Sequence, residues 1–165
     1  MELFHVSCKQ YPIGYTLDAL DFERTEYHAN AESIGKAWID DSLDASRPQG
    51  QYPKRSKTLF AFKFISHCAA FADNRCEKPI YYRVEMANPV ACPMCLLSFM
   101  KKDNDLLNNR IAHEYWTPTL NWDVFEYLDT QMKILNIFDA SAPFLAASGM
   151  MNYMDDYHLA QARFT

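Results

Sequence analysis

The pattern of polar and apolar residues along the chain predicts four strands. Residues 2–7, Glu-Leu-Phe-His-Val-Ser, change between the two types over a short run, which predicts a strand. Runs rich in aromatic and β-branched residues predict further strands over residues 58–62, 79–86 and 131–138. The run over residues 58–62 is apolar almost throughout, so we expect it to be a buried strand.

Helical periodicity fills other parts of the chain. Residues 30–43 carry Ile34, Ala37 and Trp38 at helical spacing, which predicts an amphipathic helix. Ser66 is a suitable N-cap for a helix that runs to about residue 72. Further helices are predicted over residues 93–102, 105–115 and 142–163, the last of them weakened at Gly149.

Strands and helices are mixed without strict alternation, which indicates an α+β fold rather than a doubly wound parallel sheet. The chain has 165 residues and no composition break, so we expect one domain over residues 1–165, with a helical extension from about 141 to 165. No Gly-x-Gly-x-x-Gly follows a predicted strand, which argues against a Rossmann domain.

Charge and cysteine content narrow the function classes. The net charge of -5 argues against a basic groove for a nucleic-acid backbone, and the one basic cluster, around Arg55 and Lys57, fits a single small anion. The start of the chain does not resemble a signal peptide, and no apolar run approaches the roughly 20 residues of a membrane span. We therefore expect a cytoplasmic protein whose five cysteines are free thiols.

Three features of the sequence contain candidate catalytic or binding residues. His5 lies between apolar residues in the first predicted strand. Residues 55–71 run from a basic loop into an aromatic strand and then into a Ser-started, Ala-rich helix. Glu126 is flanked by apolar residues just before the predicted strand at 131–138, which is an unusual setting for a solvated carboxylate.

Together these features resemble the ADP-ribosyltransferase superfamily, and in particular a small bacterial and phage branch of it. Members of that family open with a strand bearing His, which residues 3–7 match here. An aromatic strand and an Ala-rich helix follow, matched by residues 59–62 and 66–71. A Glu belongs to a later strand, and residues 126–128 are similar to the Glu-Val-Leu stretch of the DNA-modifying branch.

The resemblance implies an α+β fold with a mixed sheet around a cleft for NAD, which is the substrate. Glu126 would then be the catalytic carboxylate, holding the ribose 2'-hydroxyl and stabilising the cationic sugar of the transition state. His5 would hydrogen-bond the adenosine-side ribose and share the catalytic role. No metal is implied.

Other positions are implied to bind the dinucleotide. Phe60 replaces the usual Tyr of the middle strand and would stack on nicotinamide. Arg55, with Lys57 as the weaker candidate, would neutralise the pyrophosphate. Ser7 and Phe62 would complete the cofactor site. The acceptor of ADP-ribose would be a macromolecule; a protein is favoured, and a nucleic acid stays open. The resemblance also implies that this chain acts in the cytoplasm of a bacterial or phage-infected cell, as a toxin or phage effector.

Several alternatives stay open. Glu114 is the rival catalytic acid. The protein could be an inactive nucleotide- or protein-binding member of the same fold, or an enzyme acting on RNA 2'-phosphate. Cys92 and Cys95 have the Cys-x-x-Cys spacing of zinc or redox sites, although no second such pair completes a zinc set.

Overall fold

The structure combines a seven-stranded sheet with five α-helices. The computed structural model describes the backbone of residues 1–72, 76–138 and 142–165, and their side chains apart from 70–72 and 142–151. The strands are β1 (Glu2–Ser7), β2 (Thr16–Asp18), β3 (Leu59–Phe62), β4 (Ile80–Glu85), β5 (Val90–Pro93), β6 (Phe125–Asp129) and β7 (Gln131–Phe138). The helices are α1 (Glu26–Ser33), α2 (Ala37–Ala45), α3 (Ile65–Ala72), α4 (Asp105–Trp116) and α5 (Ala142–Phe164). The predicted α+β class is confirmed.

The sheet has the order β2-β7-β4-β1-β3-β6-β5, and the pairings between its described strands are all antiparallel. The sheet is therefore antiparallel rather than mixed in direction. β1 pairs with β4 along its whole length, from Glu2 to Ser7, whereas its register with β3 is the pair Phe4–Phe62. The first strand of the chain thus lies at the centre of the sheet.

The register assigns the key side chains to faces of the sheet. Directly opposed residues point to the same face, and successive residues alternate. Phe4 opposes Phe62, and Phe62 opposes Glu126, so these three share one face. His5 opposes Tyr82 and therefore points to the other face. Leu3, Leu59 and other buried residues on the His5 side form one core cluster, and Phe60 and Leu128 belong to another core on the Glu126 side.

Local backbone chemistry explains where the helices differ from the prediction. The helix expected over residues 30–43 is two helices, because Gly35 adopts a positive φ of 69° between α1 and α2. α1 begins earlier than predicted, where the Thr25 hydroxyl accepts a hydrogen bond from the His28 amide. The helix expected over residues 93–102 is the end of β5 followed by a 3-10 turn, Met94–Phe99.

The short helix α3 and the long helix α5 lie together. α3 packs against α5, and α5 also contacts the 3-10 turn Met94–Phe99. The side chains of Ala70 and Phe71, which belong to the family-like motif, lie outside the described residues. Within the described ranges, no helix is both long and apolar enough to cross a membrane.

Cys8 and Cys76 form a disulfide, so the prediction of free thiols is wrong for these two residues. Their meeting follows from the sheet: Cys8 directly follows Ser7, which opposes Ile80, and Cys76 lies shortly before Ile80. Sequence spacing offered no sign of this pairing, because the two cysteines are 68 residues apart. The other three cysteines are buried and take no part in a disulfide.

Candidate functional site

Arg55 and Glu126 form an ion pair in the protein interior. Neither side chain has any exposed surface, and Arg55 Nη1 lies 2.5 Å from Glu126 Oε1. The Tyr115 hydroxyl donates to the same carboxylate oxygen at 2.6 Å. Asp40 Oδ1 lies 2.8 Å from Arg55 Nε, and Arg55 Nη2 donates to the Tyr27 hydroxyl at 2.8 Å. We call these five residues the Arg55 cluster.

Separate elements bring the Arg55 cluster together. Arg55 begins the 3-10 turn Arg55–Lys57 just before β3, and its backbone amide donates to Asp44 Oδ1 at 2.6 Å. Asp40 and Asp44 lie one turn apart on α2, so the same helix face holds the Arg55 backbone and its side chain. Glu126 is on β6 and Tyr115 is on α4.

The electrostatics of the cluster are dominated by burial. Burial raises the pKa of Glu126, while Arg55 and the Tyr115 hydroxyl act in the opposite direction. Burial also lowers the pKa of Arg55, but Glu126, the two tyrosines and Asp40 outweigh it and hold that pKa well above its usual value. With both carboxylates ionised, one cation faces two anions, so Arg55, Asp40 and Glu126 sum to a single negative charge. Glu126 Oε2 is buried and has no hydrogen-bond partner among the described residues.

A small pocket lies beside β1 and β3, with a cavity volume of about 40 Å³. That volume holds only a few water molecules, so a larger ligand enters only if the pocket walls move. His5 donates from Nδ1 to the Phe60 carbonyl oxygen at 2.7 Å, since a carbonyl only accepts. The pocket is lined by His5, Val6, Lys9, Tyr11, Leu17, Phe22, Arg24, Thr25, Glu26, Tyr27, Thr58, Leu59 and Phe60, and we call it the His5 pocket.

Tyr27 belongs to the Arg55 cluster and also lines the His5 pocket. Its ring lines the pocket and packs on Phe60, with ring centroids 4.4 Å apart. The Arg55 guanidinium lies 4.7 Å from the Phe60 centroid and 5.0 Å from the Tyr27 centroid. Two aromatic side chains, Tyr27 on the short helix α1 and Phe60 on β3, therefore lie between the pocket and the buried ion pair.

The structure brings only some of the predicted site residues together. His5 and Phe60 line the same pocket, but the Phe60 ring is 4% exposed and covered by Tyr27 and Arg55, so no face is open for stacking. Arg55 and Glu126 meet each other, but neither reaches the pocket surface. His5 and Glu126 point to opposite faces of the sheet, as their registers require.

The remaining predicted residues have other partners. Ser7 is buried and donates from its hydroxyl to Glu26 at 2.6 Å. Lys57 donates from its ammonium group to the backbone carbonyls of Glu23 and Phe22 and is not among the residues that line the pocket. Phe62 packs in a separate core cluster with Val6 and Cys68. The cations that line the pocket are Lys9 and Arg24.

Glu114, the rival carboxylate, has a structural role. It accepts from the Thr119 amide and hydroxyl, the Leu120 amide and the Trp122 indole, at 2.7–2.9 Å. These bonds together outweigh burial and lower the pKa of Glu114. These hydrogen bonds hold the loop between α4 and β6 in place and occupy the carboxylate of Glu114.

Sequence reasoning missed three members of the Arg55 cluster, namely Asp40, Tyr115 and Tyr27. Asp40 offered one usable signal: it lies among Trp38, Ile39 and Leu43 on the helix side that faces the core, where an acid needs a buried cation. The tyrosines offered none, because a buried Tyr is ordinary in a chain with ten of them.

Cys92 and Cys95 are both fully buried, on β5 and in the following 3-10 turn. Burial raises the pKa of both thiols far above the usual range, so they stay protonated at neutral pH. A structural zinc site at this pair would need two further ligands. In the part of the chain that the structure describes, the residues whose ligand atoms cluster as a metal site would require are Cys8, Glu26 and Cys76.

Comparison with protein-family models and with curated proteins found no match to this chain. The function of the protein is therefore inferred from the residues of the His5 pocket and the Arg55 cluster.

Proposed function

We propose that this protein binds NAD in the His5 pocket, cleaves the bond between nicotinamide and ribose, and transfers ADP-ribose to a macromolecular acceptor. The observation that carries the proposal is the position of Tyr27. The Tyr27 ring lines the pocket and packs on Phe60, while its hydroxyl accepts from Arg55, the partner of a buried carboxylate with an unpartnered oxygen. In the proposal, Tyr27 and the Phe60 ring move aside, which enlarges the pocket and opens it towards Glu126.

The charge of the Arg55 cluster suits this chemistry. Loss of nicotinamide develops positive charge on the ribose, and a fixed negative group stabilises that state more than the neutral ground state. With both carboxylates ionised, Arg55, Asp40 and Glu126 carry one net negative charge, which would meet this need. In the proposal Glu126 Oε2 accepts from the ribose 2'-hydroxyl, because it is the carboxylate oxygen without a partner in the described structure.

The phosphates of the dinucleotide need cations at the pocket. Lys9 and Arg24 line it and supply them in place of Lys57. Arg55 adds a donor once Tyr27 moves, because its Nη2 no longer donates to the tyrosine hydroxyl. A diphosphate oxygen that accepts from Nη2 then replaces that hydroxyl as the partner of the guanidinium.

His5 has a positioning role in the proposal. Its Nδ1 is fixed by the Phe60 carbonyl, which sets the orientation of the ring at the pocket wall. Because His5 and Glu126 lie on opposite faces of the sheet, one ligand reaches both only by extending past Phe60. An elongated dinucleotide fits that requirement better than a compact sugar or a single nucleotide.

The test is a transfer assay with a labelled acceptor pool. Purified protein is incubated with NAD labelled on its adenine ribose, together with cell lysate from which either nucleic acid or protein has been removed. We expect label on the protein fraction and none when Glu126→Gln replaces the wild type. If neither fraction is labelled and no nicotinamide is released, the transferase proposal is wrong.

A second candidate is supported by one observation. The Arg55–Glu126 pair has no solvent exposure, which is also typical of a structural ion pair in a binding protein without catalysis. Such a protein would bind the dinucleotide in the His5 pocket and release no nicotinamide. Calorimetric binding of NAD without turnover would select this second candidate.

A further inference from the structure

We propose that Cys8, Cys76 and Glu26 form a zinc-binding site when the Cys8–Cys76 disulfide is reduced. The ligand atoms of the three side chains lie within 4.8 Å of one another, and the residues are exposed or half-buried, so an ion from solution can reach them. Two thiolates and one carboxylate are ligands that zinc prefers, and water completes a four-coordinate site. This proposal is independent of the proposed transferase activity.

The geometry requires little rearrangement. Ligands about 2.3 Å (sulfur) and 2.1 Å (oxygen) from a tetrahedral zinc lie roughly 3.6 Å apart for sulfur and oxygen, and about 3.8 Å for two sulfurs. Cys76 Sγ is already 4.0 Å from Glu26 Oε1. The Cα atoms of Cys8 and Cys76 are 5.3 Å apart, so rotation of the two side chains brings the sulfurs to the required separation once the bond between them is broken.

Hydrogen bonds hold the carboxylate in place for this role. Ser7 donates from its hydroxyl to Glu26 Oε2 at 2.6 Å, and the Cys8 amide donates to Glu26 Oε1 at 2.8 Å. Partners that fix a ligating carboxylate raise metal affinity, because less ordering is needed on binding. The donors also leave each oxygen with lone-pair capacity for an ion.

Zinc binding to the oxidised protein requires two steps, reduction of the disulfide and then coordination of the ion. A phosphine reductant breaks the Cys8–Cys76 bond, delivers two electrons to the sulfurs and becomes a phosphine oxide with an oxygen from water, leaving two thiols. Zinc then displaces one proton from each thiol and binds the two thiolates and the Glu26 carboxylate. A peroxide reverses this order: it takes two electrons from the thiolates and is reduced to water, and formation of the disulfide removes both sulfur ligands and releases the ion.

The location links the site to the His5 pocket. Glu26 lines that pocket, and it precedes Tyr27 on α1. Binding an ion at Glu26 therefore fixes the first turn of the helix that carries Tyr27. Metal occupancy and redox state are thereby coupled to the pocket wall through one helix.

The experiment compares metal binding by the reduced and oxidised full chain. Protein reduced with the phosphine, freed of reductant under anaerobic conditions, is titrated with zinc against a chromophoric chelator. A parallel titration with Co²⁺ monitors the sulfur-to-cobalt charge-transfer band. We expect one ion per reduced chain with a thiolate band, and no such binding by oxidised chain. Absence of the band, or binding that is equal in both redox states, overturns the proposal.

Variants separate this site from other thiols. Cys8→Ser and Cys76→Ser should abolish the charge-transfer signature of a two-thiolate site, whereas the control Cys95→Ser should leave binding unchanged. Ser7→Ala should weaken zinc affinity about tenfold, because it removes a donor that orients Glu26. Retention of wild-type affinity by both Cys8→Ser and Cys76→Ser would contradict the assignment, as would its loss in Cys95→Ser with the fold intact by circular dichroism.

Discussion

Arg55 and Glu126 lie 2.5 Å apart, and neither side chain has any surface exposed to solvent. The rings of Tyr27 and Phe60 lie between this pair and the His5 pocket. Its members therefore influence both stability and the proposed chemistry, and the two contributions need separate measurements.

Breaking the ion pair from one side should destabilise the fold strongly. Arg55→Met leaves Glu126 buried without a cation and leaves Asp40 with His28 as its remaining partner, so we expect the free energy of unfolding to fall by about 3–5 kcal/mol. The double variant Arg55→Met with Glu126→Gln removes one orphaned charge and should recover part of that loss. Urea denaturation of the single and double variants gives the comparison. A double variant no more stable than Arg55→Met would contradict the assignment of the pair.

Tyr27 should control how fast a dinucleotide enters. Its hydroxyl accepts from Arg55 Nη2, a charge-assisted hydrogen bond that must break when the side chain moves. Removal of a bond worth about 1.5 kcal/mol should speed NAD association roughly tenfold in Tyr27→Phe. Stopped-flow fluorescence measures the rate. Tyr11→Phe, which alters another tyrosine of the same pocket, is the control and should bind at the wild-type rate.

Glu114 should contribute stability that depends on pH. Hydrogen bonds to its carboxylate lower the folded-state pKa below that of the unfolded chain, about 4.3. The unfolded state then binds more protons in the window between the two values, so this contribution is complete above pH 5 or so and is lost as the pH falls through the folded pKa. Chemical denaturation of wild type and Glu114→Gln across acidic pH should show a weaker pH dependence in the variant. A pH dependence unchanged by Glu114→Gln would contradict this assignment.

The Cys8–Cys76 disulfide should stabilise the native state. It closes a segment of 68 residues, for which the chain-entropy relation gives about 4 kcal/mol at 25 °C. Reduction in the presence of a metal chelator should lower the midpoint of urea unfolding accordingly. The double variant Cys8→Ser with Cys76→Ser should unfold at one midpoint with or without reductant. Sensitivity of that variant to reductant would assign the effect to another thiol.

The sequence predicted most of the long elements because their patterns are local. The bounds of β1 and β7 agree with the predicted runs at residues 2–7 and 131–138. The pattern missed β2, β5 and β6, which have three, four and five residues and are too short for alternation to register. Gly35 broke the predicted helix at 30–43, since a positive φ is a property of the backbone that periodicity does not reveal.

The candidate site was less predictable because it depends on register. His5 and Glu126 were singled out from their apolar neighbours, but only the pairs Phe4–Phe62 and Phe62–Glu126 show that they point to opposite faces. The burial of Arg55 was also hidden. An arginine in a basic loop is usually solvated, and its partner Asp40 is supplied by a separate helix.

The measurement that tests the central claim most directly is single-turnover release of nicotinamide from NAD by wild type and Glu126→Gln, with NAD affinity measured in parallel. A carboxylate that acts mainly in the transition state should leave affinity nearly unchanged while its loss slows release by about a hundredfold or more. Glu114→Gln is the matched control, and its folded fraction should release nicotinamide at the wild-type rate. Equal rates for wild type and Glu126→Gln, with both proteins binding NAD, would contradict the account.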